Sequence, residues 1–223
     1  MGIIQQSFNK LLWSAFNVFA RIRGSNDSKH ADLEVRDVVF EEMKQILPLS
    51  DRSIVLDGGC GSGYLVQKLQ EVCHSAYGVD FVKRFNDSNN VLFQADIRNM
   101  PFDDDTFDVS ICYGVIHYVG DFSEAKAAVS ELARVTKKNG VILIGEVPIM
   151  RGYFNEYIKR SQMPVFKKFF LLCYLNSIFY KYFVFSKSQW HTLFTDLGWK
   201  VKVLPQDPRM PYSKNVCHYY LTR

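Results

Sequence analysis

Ile54-Val55-Leu56-Asp57-Gly58-Gly59-Cys60-Gly61-Ser62-Gly63-Tyr64-Leu65 is the stretch on which the reading of this chain turns. Ile54-Val55-Leu56 is a short apolar run with β-branched residues, the pattern of a strand buried on both faces. Asp57 ends it. Gly58, Gly59, Gly61 and Gly63 then crowd a tight loop where side chains would block a close ligand. Tyr64 to Val72 follows with a helical pattern. Strand, glycine loop and helix together form a nucleotide-type cradle, with backbone N–H groups and a helix N-terminus turned toward the ligand.

The glycine spacing narrows the choice. A dinucleotide fingerprint needs G-x-G-x-x-G, whereas Gly59, Gly61 and Gly63 give G-x-G-x-G behind an acidic residue, which disfavours an NAD-linked oxidoreductase. The stretch resembles the first motif, (D/E)-x-G-x-G-x-G, of the class I S-adenosylmethionine (SAM) methyltransferases. The resemblance implies SAM as cofactor, with Asp57, Gly58, Gly59, Cys60, Gly61, Gly63 and Tyr64 around its methionine end. That end carries a sulfonium and no phosphate, in keeping with a loop without Lys or Arg. The implied fold is a Rossmann-like α/β sheet of seven mostly parallel strands in the order 3-2-1-4-5-7-6, the last antiparallel.

The next motifs follow in chain order. Ala76-Tyr77-Gly78-Val79 reads as a second strand ending at Asp80, about twenty residues beyond the glycine loop, where α/β nucleotide folds grip a ribose. In the family this acid bonds both ribose hydroxyls, and Phe81 would lie against the adenine. Val91 to Ala95 reads as a third strand. It ends in Asp96-Ile97, which resemble the family's adenine contact, the Asp96 carboxylate and the Ile97 N–H meeting the ring. Met100 to Asp108 contains P-F-D-D-D-T-F-D, a signature common in small-molecule methyltransferases. Its three consecutive acids are expected as a solvated turn, and no metal is expected. Phe107 to Cys112 is the fourth strand. By the resemblance, Cys112 and Tyr113 would touch the methionine portion, leaving His117 and Tyr118 near an acceptor. Ser123 to Thr136 reads as a helix stopped at Lys137-Lys138-Asn139-Gly140. Val141 to Ile144 is the fifth strand, with Glu146 beyond it as an acceptor-side base, a substrate ligand or an edge residue paired with an Arg.

Composition bounds the rest. The 223 residues suit one domain; 48% are hydrophobic and 22% charged, as in ordinary soluble proteins. The net charge of +4 comes without a Lys/Arg block, so no nucleic-acid partner is expected. Cys60, Cys73, Cys112, Cys173 and Cys217 are scattered and odd in number, as in a cytoplasmic protein with reduced thiols. No signal peptide is evident.

Two segments frame the core. Residues 1–50 read as an N-terminal helical cap: an aromatic amphipathic helix from Gly2 to Gly24 and a second helix from Asp32 to Leu47. Residues 149–187 read as a helical insert between strands five and six, aromatic and basic, where this family builds its substrate pocket; Tyr153 and Tyr157 join Tyr118 as acceptor contacts. The insert's apolar runs are too short to span a membrane, although contact with a membrane surface and a homodimer stay open. Ser186 to Leu197 is the last helix, Trp199 to Leu204 and Val216 to Thr222 the last strands. The expected activity is methyl transfer from SAM to a small-molecule acceptor at oxygen or nitrogen, with His117 and Glu146 as base candidates and His191 and His218 behind them. Two alternatives remain: a lipid-like acceptor at a membrane, and a non-catalytic SAM-binding partner subunit.

Overall fold

A computed structural model describes residues 33–81, 90–119, 121–149, 165, 185–210 and 213–223. The expected helix at Gly2–Gly24 and nearly all of the 149–187 insert, with Tyr153 and Tyr157, lie outside them. The described helices are α1 (Leu33–Ile46), α2 (Tyr64–Gln70), α3 (Phe122–Val135) and α4 (Lys187–Asp196). The strands are β1 (Ile54–Gly58), β2 (Ser75–Asp80), β3 (Leu92–Gln94), β4 (Phe107–Tyr113), β5 (Thr136–Pro148), β6 (Lys200–Pro205) and β7 (Val216–Thr222). They form a seven-stranded sheet in the order β3-β2-β1-β4-β5-β7-β6. Pairs from β3 to β5 are parallel, and β7 runs antiparallel to both β5 and β6.

The central strands are apolar on both faces because helices cover both. Leu56, Cys112, Ile142 and Ile144 point into a cluster with α3 and α4 residues such as Leu132 and Trp190. Val55, Ile111, Val109 and Leu143 face the other way, onto Met43 of α1 and Val66 and Leu69 of α2. Asp121 caps α3 by accepting the Glu124 N–H, and Ser186 and Gln189 close a capping box on α4. Among the described residues no helix is long and apolar enough to cross a membrane.

One boundary differs from expectation. β5 is paired from Thr136 rather than Val141, and Lys137–Gly140 forms an irregularity inside the strand, between the pairs Phe107↔Thr136 and Val109↔Val141. Polar pairing holds this early start in place. Thr136 Oγ1 donates to the Leu132 carbonyl at 2.6 Å and lies 2.7 Å from the buried Ser110 hydroxyl. Asp108 accepts from Lys137 Nζ at 2.8 Å and from the Ile54 N–H at 2.9 Å, tying β1, β4 and the irregularity together.

The acidic turn is fastened from α3. Asp103, Asp104 and Asp105 are exposed. Arg134 bonds Asp104, the Phe102 carbonyl and Glu131, and Glu131 accepts the Met100 N–H at 2.7 Å. The Arg134 hydrogen bonds hold the Glu131 carboxyl below its ordinary value. A carboxyl depressed in this way stabilises the fold above its unfolded value, near about 4.3, and loses that contribution as pH falls through its folded value. Glu131→Gln is therefore expected to cost about 1–3 kcal/mol at neutral pH. Urea unfolding of both proteins, repeated below about pH 4, should show the gap narrowing.

Candidate functional site

The carboxyl ends of the parallel strands share one edge of the sheet, the place where open α/β folds take ligands. At β1 the chain leaves the sheet through Gly58 and turns at Gly59, whose φ of +87° lies in the left-handed region. The Gly59 and Cys60 N–H groups both donate to the Val79 carbonyl, at 2.7 and 2.9 Å, so the end of β2 shapes the loop. A Cβ on Gly59 would come within 2.3 Å of the Val115 side chain, which closes over the loop from beyond β4. Gly63, also left-handed, begins α2 with no side-chain cap.

Asp80 ends β2 and is buried, and its Oδ2 accepts the Gly61 N–H at 3.0 Å. The second expected acid is thus joined to the glycine loop. Asp57 is buried in β1, paired in register with Gly78 and Ile111. Burial pushes the neighbouring Cys112 thiol far up, and the Asp57 charge adds to that, so Cys112 is an inert core thiol. Cys60 is also buried, its sulfur packed where a Cβ on Gly78 would stand. Ile97 folds its side chain onto Gly58, bringing the turn after β3 against the end of β1. Phe81 is half-buried just past Asp80, and its carbonyl accepts from Gln94 at 3.3 Å.

Two expected contacts have local partners that the sequence did not announce. Tyr64 donates its hydroxyl to Asp37 at 2.5 Å, with Arg36 over its ring, which ties α1 to α2 beside the loop. Asp96 accepts from the Arg98 N–H and guanidinium, and Arg98 also pairs with Glu124. Burial raises the Asp96 carboxyl, but the Arg98 hydrogen bonds outweigh it and hold the group below its ordinary value.

Beyond β4, Ile116–Tyr118 forms a 3-10 turn. His117 is only 2% exposed, and its ring lies 4.2 Å from that of Tyr118. Glu146 is not an exposed edge residue: it is buried, with a left-handed φ of +52°. Tyr113 ends β4 opposite Gly145 and accepts from Gln206 Nε2 at 2.7 Å. Burial pushes its phenol well up, and the Glu146 and Glu42 charges push it further. Glu42, Gln206 and the fully buried His218 complete this polar group. Neither Glu42 nor Gln206 sits in a sequence motif, and only the packing of α1 and of the segment after β6 brings them here.

The strand order, the single antiparallel strand and the glycine loop at the β1 edge define the methyltransferase version of the α/β fold. An uncharged loop next to a buried acid suits a cofactor with a ribose and no phosphate. Residues 56–144 match the family described as a methyltransferase domain. A demethylmenaquinone methyltransferase of Corynebacterium urealyticum is 35% identical over 131 residues, 54% of this chain and 55% of that protein. The uncharacterized methyltransferase YcgJ of Bacillus subtilis is 33% identical over 159 residues, 61% of each chain. The match thus spans little more than half of these two relatives. Among solved structures, the complex of the Haloferax volcanii Trm112 methyltransferase activator with a methyltransferase aligns with a TM-score of 0.65 at 16% identity, over 93% of this chain and 96% of that one. A SAM-dependent methyltransferase from Aquifex aeolicus aligns at 0.57 and 17% identity, over 91% and 96%. Residues 56–144 are thus a methyltransferase domain, in the fold that SAM-dependent methyltransferases of known structure share.

Gly59→Ala would force a left-handed alanine into Val115. It is expected to lower the melting temperature by several degrees, about 1–3 kcal/mol in overpacking terms. It should also abolish binding of S-adenosylhomocysteine, the demethylated cofactor. Thermal unfolding with and without that ligand checks both: the wild type should be stabilised by ligand and the variant should not.

Proposed function

We propose that the protein transfers the methyl group of SAM to a small-molecule acceptor at oxygen or nitrogen, one with apolar bulk or an anionic group. The observation that carries this reading is the buried Asp80 carboxylate, bonded to the Gly61 N–H at the carboxyl edge of the sheet. Two relatives are named for acceptors with apolar bulk or an anionic group. One is named a demethylmenaquinone methyltransferase. Another, 29% identical over 111 residues, is the malonyl-[acyl-carrier protein] O-methyltransferase of Buchnera aphidicola. The reading assumes a freely diffusing acceptor in the cytoplasm.

In this reading the glycine loop from Asp57 to Gly63, with Tyr64, Cys112 and Tyr113, holds the methionine end. Asp80 takes the ribose, and Phe81, Asp96 and Ile97 take the adenine. Bound SAM supplies a methyl group activated by a sulfonium leaving group. The protein's task is to hold the acceptor atom in line with the sulfur–carbon bond, largely an orientation effect. Tyr118, on the turn after β4, stands beside the acceptor's place. Where the acceptor is a hydroxyl, a carboxylate or imidazole of the protein at the strand ends would take its proton. Glu146 is the better base candidate, since it stands at the strand ends with Tyr113. His117 is held against Tyr118 within its turn.

Calorimetric titration with S-adenosylhomocysteine is expected to give saturable binding. Asp80→Ala should weaken it by about tenfold or more, the loss of charge-assisted hydrogen bonds. Radiolabelled SAM offered with naphthoquinols and acyl carboxylates should then label one acceptor class. A folded wild-type protein that binds no S-adenosylhomocysteine would overturn the reading.

A further inference from the structure

β5 and β7 pair as Ile144↔Tyr219 and then Val147↔Cys217, so Gly145 and Glu146 together stand against His218 alone. This is a β-bulge, a device that re-aims side chains beside functional sites. Glu146 occupies it in a left-handed conformation that a glycine would adopt more easily. Tyr113 explains the glycine beside it: a Cβ on Gly145 would meet the tyrosine ring at 2.3 Å. A strained, buried acid at the carboxyl edge is costly to keep for packing alone, and such outliers gather at functional sites.

The bulge takes the Glu146 N–H out of the strand ladder, and the imidazole receives it: Glu146 N–H donates to His218 Nδ1 at 3.0 Å. An amide can only donate, so Nδ1 carries no proton. The ring hydrogen therefore sits on Nε2, which donates to Glu42 Oε1 at 3.1 Å. Glu42 also accepts the Asp207 N–H, which fixes the carboxylate from the segment after β6. The imidazole is fully buried, and Glu42 is 4% exposed. With one ring nitrogen on a peptide and the other on a carboxylate, His218 has no position from which to pass a proton to an acceptor. Its place among the base candidates falls away, and another role takes over.

We propose that His218 is a positioning residue for Glu146. Its Nδ1 pins the bulge amide, Glu42 selects the tautomer that can do so, and the bulge thereby aims the Glu146 carboxyl at the acceptor's side of the sheet edge. The proposal rests on the reading of Glu146 as the acceptor-side base. It makes α1 and β7, the first and last described elements, part of the acceptor half of the site.

Two polar substitutions separate the two ring nitrogens. Asparagine places an oxygen near Nδ1, keeping the Glu146 contact and releasing Glu42. Glutamine reaches toward Nε2, keeping Glu42 and releasing the Glu146 amide. In the wild type, nitrogen-15 spectra should show His218 as the neutral Nε2–H tautomer, with the Glu146 amide slow to exchange. His218→Asn should keep that amide protected, and His218→Gln should speed its exchange by about tenfold or more. Both variants should bind S-adenosylhomocysteine within about threefold of wild type, because the cradle lies on β1 and β2. With an acceptor from the screen above, His218→Gln should lower kcat by about 10- to 100-fold with KM for SAM unchanged, and His218→Asn should recover most of it. An Nδ1–H tautomer, or two variants alike in amide exchange, would overturn the proposal. A screen in which the wild type methylates nothing tells against the proposed function alone, and the tautomer and exchange measurements still judge the positioning.

Discussion

A strand buried on both faces can place polar groups only at its ends or in pairs that satisfy each other. β1 and β4 live under that constraint, and much of the molecule follows from it. Val55 and Leu56 are completely buried, on opposite faces. The one buried hydroxyl inside β4, Ser110, is spent on Thr136. The acids are displaced to the termini: Asp108 at the start of β4 ties three elements, while Asp57 and Asp80 stand toward the carboxyl ends. Parallel strands align those ends along one edge, so the groups capable of chemistry collect there without any local signal telling them to.

How much of this was legible depended on how local its cause is. The glycine loop, the second-strand acid and the order of the elements follow from short stretches whose composition admits few backbones. The early start of β5 was not legible, because Lys137-Lys138-Asn139-Gly140 looks like a helix stop. What draws Thr136 into register with Phe107 are partners on other elements, Ser110 and Asp108 among them. Asp96 is expected from sequence as an adenine contact, whereas its engagement by Arg98 depends on a turn whose geometry a sequence does not print. Glu42 lies 176 residues from His218, and no periodicity could have joined them.

That contrast divides the site in two. The glycine-loop half is assembled largely from nearby stretches of chain, β1, the loop and the end of β2, where backbone N–H groups and tight glycine contacts do the shaping. Such a cradle tolerates little change: at Gly59 even a methyl group has nowhere to go. The polar group around Glu146 is assembled from α1, from the ends of β4 and β5, from β7 and from the segment after β6, and its geometry is held by side chains.

Side-chain-held geometry has a different physical character. Each buried donor in the Glu42–His218–Glu146 chain needs its acceptor, so the group is satisfied as a unit or fails as a unit. The bulge exposes how this works: the strand gives up one ladder hydrogen bond, and an imidazole from the neighbouring strand replaces it at 3.0 Å. That substitution frees the backbone to turn through a conformation closed to a regular strand, and a carboxyl is delivered where the sheet alone would have placed none. Variation in β7 can then re-aim the Glu146 carboxyl while the glycine loop, shaped by the β2 end through its own backbone hydrogen bonds, keeps its geometry.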